Sequence, residues 1–116
     1  MTDLIAVLGT GKGTWAHVSA LIRAENWENI HIITNDFGKD KFNNEKNAKL
    51  IILDENLSVE EMKEKIAGEL KDKLKLDVAI NLISGSGKEH MALLSALMSL
   101  GVGMRFVIEK DGMKEL

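Results

Sequence analysis

Apolar residues in this chain fall into two patterns that alternate along it: short continuous runs, and longer stretches in which they recur every three or four positions. Leu4 to Leu8 is a continuous run closed by Gly9, as expected of a strand buried on both faces of a sheet. Beyond the loop Gly9-Thr10-Gly11-Lys12-Gly13, Thr14 is placed to cap a helix that ends near Asn26, with Trp15, Val18, Leu21 and Ile22 at helical spacing. Ile30 to Thr34 and Leu50 to Leu53 are aliphatic or β-branched and close on polar residues, which predicts a second and a third strand. The polar stretch between them, Asn35 to Lys49, is long enough for a crossover and takes either a short helix or an ordered loop.

Ser58 with Glu61 three residues on is a capping-box signature, and Met62, Ile66 and Leu70 then mark one face of a helix reaching about Lys73. The other face of that helix is Lys and Glu, a solvated surface in which Glu61 and Lys65 give ordinary i,i+4 support. Val78 to Ile83 predicts the fourth strand, Glu89 to Leu100 a helix after the loop Ser84-Gly85-Ser86-Gly87-Lys88, and Met104 to Ile108 the fifth strand. Strands that alternate with helices imply a three-layer α/β/α domain with a mainly parallel sheet of five to six strands. Right-handed crossovers then put helices on both faces. No repeat, low-complexity tract or linker interrupts the pattern, so residues 1–116 are expected to form one domain.

Composition narrows the classes of function. Hydrophobic residues make up 45% of the 116 and charged residues 28%, the balance of a soluble globular protein. No apolar run approaches the roughly 18 residues of a spanning helix, and Met1, Thr2 and Asp3 lack the basic start of a signal peptide. A soluble, cytoplasmic protein with no membrane partner is expected. Without cysteine there is no thiolate nucleophile, disulfide or cysteine-zinc site, and the three histidines, His17, His31 and His90, lack metal-ligand spacing. Neither a metal nor another cofactor is expected. The net charge of -3 argues against general nucleic-acid binding, which draws on an excess of Lys and Arg.

With the strands in the order 3-2-1-4-5, the first and fourth are neighbours and the chain runs outward from between them in opposite directions. Ligands bind outside the carboxyl ends of the strands at such a switch point, and here both flanking loops are glycine-rich. Glycine lets a ligand approach the backbone, and each following helix aims unpaired N–H groups and a positive dipole end at the crevice. A phosphate is the guest these features suit, with Lys12 and Lys88 adding charge and Thr10, Thr14, Ser84 and Ser86 adding hydroxyl donors. The competing reading is that Gly, Ser and Thr merely bend the chain and cap the helix; two such loops meeting at one point favour binding. Asn35 and Asp36, after the second strand, stand where a dinucleotide fold holds the ribose, or else form a turn or cap.

Named phosphate motifs fit poorly. The run Gly9-Thr10-Gly11-Lys12-Gly13-Thr14 begins as G-x-G but puts Thr14 where the dinucleotide fingerprint has Gly or Ala. A P-loop fails because Gly87-Lys88 is followed by Glu89 and Leu82 occupies the place of its first glycine. The helix from Glu89 to Leu100 carries Met91, Ala92, Leu93, Leu94, Ala96, Leu97, Met98 and Leu100 around most of its circumference. Such a helix is buried all round, either by neighbouring helices of the same chain or by a second subunit, and a homodimer is the expected partner.

These residues resemble the CARF family, the Rossmann-like sensor domains of CRISPR-associated proteins, over nearly the whole chain. Leu8-Gly9-Thr10 is similar to that family's first ligand loop, and Asn81-Leu82-Ile83-Ser84-Gly85-Ser86-Gly87-Lys88 followed by Met91-Ala92-Leu93 to its second. Asp54 at a strand end, the acidic helix after Ser58 and the strand Met104 to Ile108 keep the family's order. The second loop departs from the usual motif: Ser86 separates Gly85 from Gly87, and Met91 comes three residues after Lys88 rather than two.

The resemblance implies a homodimer that binds a cyclic oligoadenylate or similar phosphodiester across its twofold axis in CRISPR-linked antiviral defence. The site would be built from Gly9 to Thr14, Asn35, Asp36, Ser84 to Lys88 and His90. A ring nuclease is the enzymatic alternative: Lys88 would stabilise developing charge, Ser84, Ser86 or Lys12 would orient the phosphate, and His90 would serve as general acid or base. His90 at a helix start is otherwise a capping or packing residue. An unrelated mononucleotide- or dinucleotide-binding domain is the third possibility, with one ligand per subunit.

Overall fold

A computed structural model describes residues 2–116. The first apolar run forms β1 (Leu4–Val7), buried at every position, and the chain then passes through a single 3-10 turn at Lys12–Thr14 into α1 (Trp15–Ala24). The four residues that α1 buries are Trp15, Val18, Leu21 and Ile22, the helical stripe of the sequence. β2 (Ile30–Thr34) is followed by a short helix, α2 (Asp36–Lys41), and then by β3 (Lys49–Ile52). Of the two forms open to the polar crossover, the chain takes the helix because Asn35 caps it, accepting the Gly38 N–H at 2.9 Å.

α3 (Val59–Leu70) starts with the full capping box: Glu61 N–H donates to the Ser58 hydroxyl at 3.1 Å and Ser58 N–H to the Glu61 carboxylate at 2.9 Å. Those bonds, from the Ser58 backbone first and its side chain second, hold the Glu61 carboxyl below its ordinary range. α3 buries Met62, Ile66 and Leu70. β4 (Asp77–Asn81) leads into α4 (Gly87–Leu100), β5 (Gly103–Glu109) and β6 (Met113–Glu115).

The six strands form one sheet in the order β3-β2-β1-β4-β5-β6, parallel throughout except for the antiparallel β5–β6 pair. Side chains alternate across a strand, so each strand feeds two apolar clusters. Ile5, Val7, Ile33, Ile51 and Ile80 pack with the buried faces of α3 and α4, whereas Leu4, Ala6, Leu8, Ile32 and Val107 pack with that of α1. Arg105 of β5 ties the far edge together, 3.0 Å from Glu115 of β6, 3.5 Å from Asp77 of β4 and donating to the Thr2 hydroxyl at 3.1 Å.

Several boundaries differ from those the sequence suggests. The Glu89 helix begins two residues earlier, at Gly87, and the fourth strand ends at Asn81 rather than Ile83. β6 is an added strand, reached through a turn in which Asp111 and Gly112 both have positive φ, 55° and 104°. Among the described residues no helix is long and apolar enough to cross a membrane. On α4, Ala92, Leu93, Ala96 and Leu97 are covered by the same chain, while Met91 and Met98 are left 65% and 71% exposed.

Candidate functional site

The first loop leaves β1 through Leu8 and Gly9, and its backbone is held from both sides. Gly9 N–H donates to the Ser84 hydroxyl at 2.9 Å, and the Gly9 carbonyl accepts the Trp15 indole N–H at 2.9 Å. The expected cap by Thr14 does not form: its hydroxyl points back toward the Gly11 carbonyl, 3.4 Å away, because the 3-10 turn already carries the chain into α1. Lys12, inside that turn, is drawn to aromatic faces, with its Nζ 5.6 Å from the Phe37 ring centre and 6.0 Å from that of Trp15.

The second loop is set by Asn81. Its buried amide donates to the Val107 carbonyl at 2.9 Å and accepts the Ile83 N–H at 3.1 Å, so β4 ends and the chain turns. Ser84 is buried where it meets Gly9, and its carbonyl accepts a hydrogen bond from His90 Nε2 at 2.8 Å. A carbonyl only accepts, so Nε2 carries the proton. Gly85 has φ 95°, and a Cβ there would lie 2.5 Å from Val7 Cγ1; a Cβ on Gly9 would lie 2.9 Å from Gly85 Cα. Both glycines therefore serve the packing of loop on loop. Gly11, Gly13 and Gly87 differ: a Cβ at any of them would meet open space.

Between the loops, at the carboxyl ends of β1 and β4, lies a cleft of about 570 Å³. Gly9, Thr10, Gly11, Gly13 and Thr14 line it from the first loop, Ser84, Gly85, Ser86 and Lys88 from the second, and Asn35 from the end of β2. Four residues of the sequence-predicted site stand outside the lining. Lys12 lies against the aromatic rings, Asp36 begins α2, Gly87 begins α4, and His90 braces the second loop from behind.

Four lining residues were not foreseen: Glu55, Met62, Ile83 and Glu89. The half-exposed Ile83 gives the cleft an apolar wall, with Met62 buried behind the lining. Glu55 follows β3, and loops after neighbouring parallel strands share one edge of the sheet, so topology places it there. Its carboxylate accepts from Asn35 Nδ2 at 3.2 Å, and its carbonyl accepts from Lys88 Nζ at 2.9 Å. Glu89 accepts the Ser86 N–H at 3.2 Å and also the Ser86 hydroxyl. The spacing Ser86-x-x-Glu89 is itself a capping signature, visible in the sequence but overlooked beside the glycines.

The arrangement offers backbone N–H groups and threonine hydroxyls from the first loop, one ammonium, two carboxylates and an apolar wall. That set suits a ligand with a polar backbone and a flat apolar part. Among the described residues no group of three or more His, Asp or Glu side chains is placed to hold a metal ion. A model for a family of unknown function, DUF5906, matches residues 4–98, from β1 almost to the end of α4, and so takes in both loops of the cleft. No curated protein matches the chain.

Proposed function

We propose, for a chain that belongs to the DUF5906 family of unknown function, that it is a nucleotide-sensing module resembling the CARF domains. In this reading the fold is a three-layer, Rossmann-like α/β/α domain, cytoplasmic and homodimeric, and the cleft takes a cyclic oligoadenylate or similar phosphodiester in CRISPR-linked signalling. The observation that supports it best is the cleft at the topological switch point, where Gly11 and Gly13 leave open space beside the lining. Phosphate oxygens would meet the N–H groups of the first loop and the Lys88 ammonium, and a base would lie on the exposed Ile83 side chain.

The test is titration calorimetry of the protein with cyclic oligoadenylates of different ring size, with ATP and NAD as controls, followed by analysis of the ligand for cleavage. One ring bound per dimer is expected. One ligand per subunit would favour an unrelated nucleotide-binding domain. Cleavage of the ring would make the protein a ring nuclease, working through the positioning and charge of Ser84 and Lys88, since His90 stands outside the lining. Lys88→Ala is expected to weaken phosphodiester binding about tenfold to a hundredfold, the worth of a charge-assisted hydrogen bond, and to leave the dimer intact. Unchanged affinity in that variant would remove Lys88 from the site.

A further inference from the structure

The charges around the cleft run against a ligand that concentrates several negative charges on one nucleotide. Its lining holds two carboxylates, Glu55 and Glu89, and one ammonium, Lys88, which already donates to the Glu55 carbonyl at 2.9 Å. The other cation of the loops, Lys12, stands over the Phe37 and Trp15 rings and outside the lining. At the start of α4 the Ser86 N–H is not offered to an anion, because Glu89 accepts it at 3.2 Å, and the Glu89 carboxylate adds its own charge there. Pairing two copies doubles these charges without changing their sign.

We infer that Glu55 and Glu89 are specificity-determining residues that admit nucleotide ligands with a single phosphodiester charge on each nucleotide and exclude those that concentrate a polyphosphate chain on one nucleotide. The inference rests on the nucleotide-binding reading of the cleft and adds to it the residues that select among nucleotides. In this reading a single phosphodiester would meet the first-loop N–H groups and Lys88. A triphosphate would bring several negative charges on one nucleotide into a cleft whose lining already carries Glu55 and Glu89. Carboxylates only accept hydrogen bonds, so the groups that suit them are the ribose hydroxyls of the same ligand.

The experiment titrates wild type, Glu55→Gln and Glu89→Gln with adenosine, adenylyl-adenosine, cyclic tetra-adenylate and ATP at one fixed ionic strength. In the wild type ATP is expected to bind at least about tenfold more weakly than the tighter of the two phosphodiesters, as like charges at short range require. Each Gln variant should tighten ATP binding by about threefold to tenfold and not tighten adenosine binding. Thermal melts confirm folding; Glu55 lies outside helix and strand, so Glu55→Gln keeps the test if Glu89→Gln loses its cap. ATP binding as tight as the phosphodiesters, or ATP affinity unchanged in both variants, overturns the inference while the nucleotide reading stands. Failure of every probe to bind overturns both.

Discussion

Glycines of one loop can answer to different demands, and single substitutions separate them. Gly85 combines a positive φ with a would-be Cβ 2.5 Å from Val7, so Gly85→Ala is expected to cost about 1–3 kcal/mol in backbone strain and more from the clash. Gly11 has φ -77° and open space beside it, so Gly11→Ala should change stability by less than about 1 kcal/mol. The account requires Gly11→Ala to weaken ligand binding all the same. Urea denaturation and calorimetry on the two variants read both halves of this contrast; normal binding by Gly11→Ala would mean that no ligand uses that space.

His31 gives a residue-scale prediction at the opposite end of the strands. It is buried in β2, and among the described residues its Nε2 has no hydrogen-bond partner; Asp3, whose charge it feels, is also buried and has one carboxylate oxygen likewise unpartnered among the described residues. Burial pushes the His31 pKa below its ordinary value, and the charge of Asp3 offsets part of the shift. An unfolded histidine titrates near 6.5, so between that value and the lower folded one the unfolded chain holds more protons. Stability present above about pH 6.5 should therefore be lost as pH falls toward the folded pKa. Urea midpoints at pH 7.5 and 5.5 should show the drop, and His31→Gln should flatten it; an equal slope in both proteins would contradict the assignment.

At the scale of elements, what was legible in the sequence was whatever apolar periodicity controls. The stripes of α1 and α3 bury the residues their spacing marks, and β1 to β5 fall within the apolar runs or overlap them closely. Boundaries set by polar side chains were less legible. β4 stops at Asn81 because that amide takes a backbone N–H and a backbone carbonyl, although Leu82 and Ile83 continue the apolar run. α4 starts at Gly87 because Ser86 and Glu89 close its first turn, and β6 exists because Asp111 and Gly112 accept positive φ. Ile66, fully buried at the centre of the α3 face, tests the packing of that element on the sheet. Ile66→Ala is expected to destabilise by about 2–5 kcal/mol, measured by chemical denaturation; a loss below about 1 kcal/mol would mean α3 packs loosely.

For the whole molecule, the switch point followed from strand order, and strand order from the alternation of strands and helices. The position of the cleft therefore follows from the sequence, together with most of its loop residues. Its charge was not. Lys12 stands between glycines in the sequence, whereas the fold sets its ammonium beside the Phe37 ring and outside the lining; Glu55 enters the cleft only through the folded sheet. The same limit applies to α4, whose apolar circumference is mostly covered by its own chain and leaves Met91 and Met98 outward. If these two residues hold the proposed dimer, the pair Met91→Glu and Met98→Glu should yield monomers in sedimentation velocity with little change in fold by circular dichroism. An unaltered dimer would place the interface elsewhere.

The most direct test of where the ligand binds is a heteronuclear NMR titration of the labelled protein with cyclic tetra-adenylate, following every backbone amide. The largest shifts are expected at Thr10 to Thr14 and Ser84 to Lys88, with little change at the opposite end of the sheet. Shifts centred instead on the groove between Leu70, Leu76 and Gly101, or no shifts at all, would contradict it.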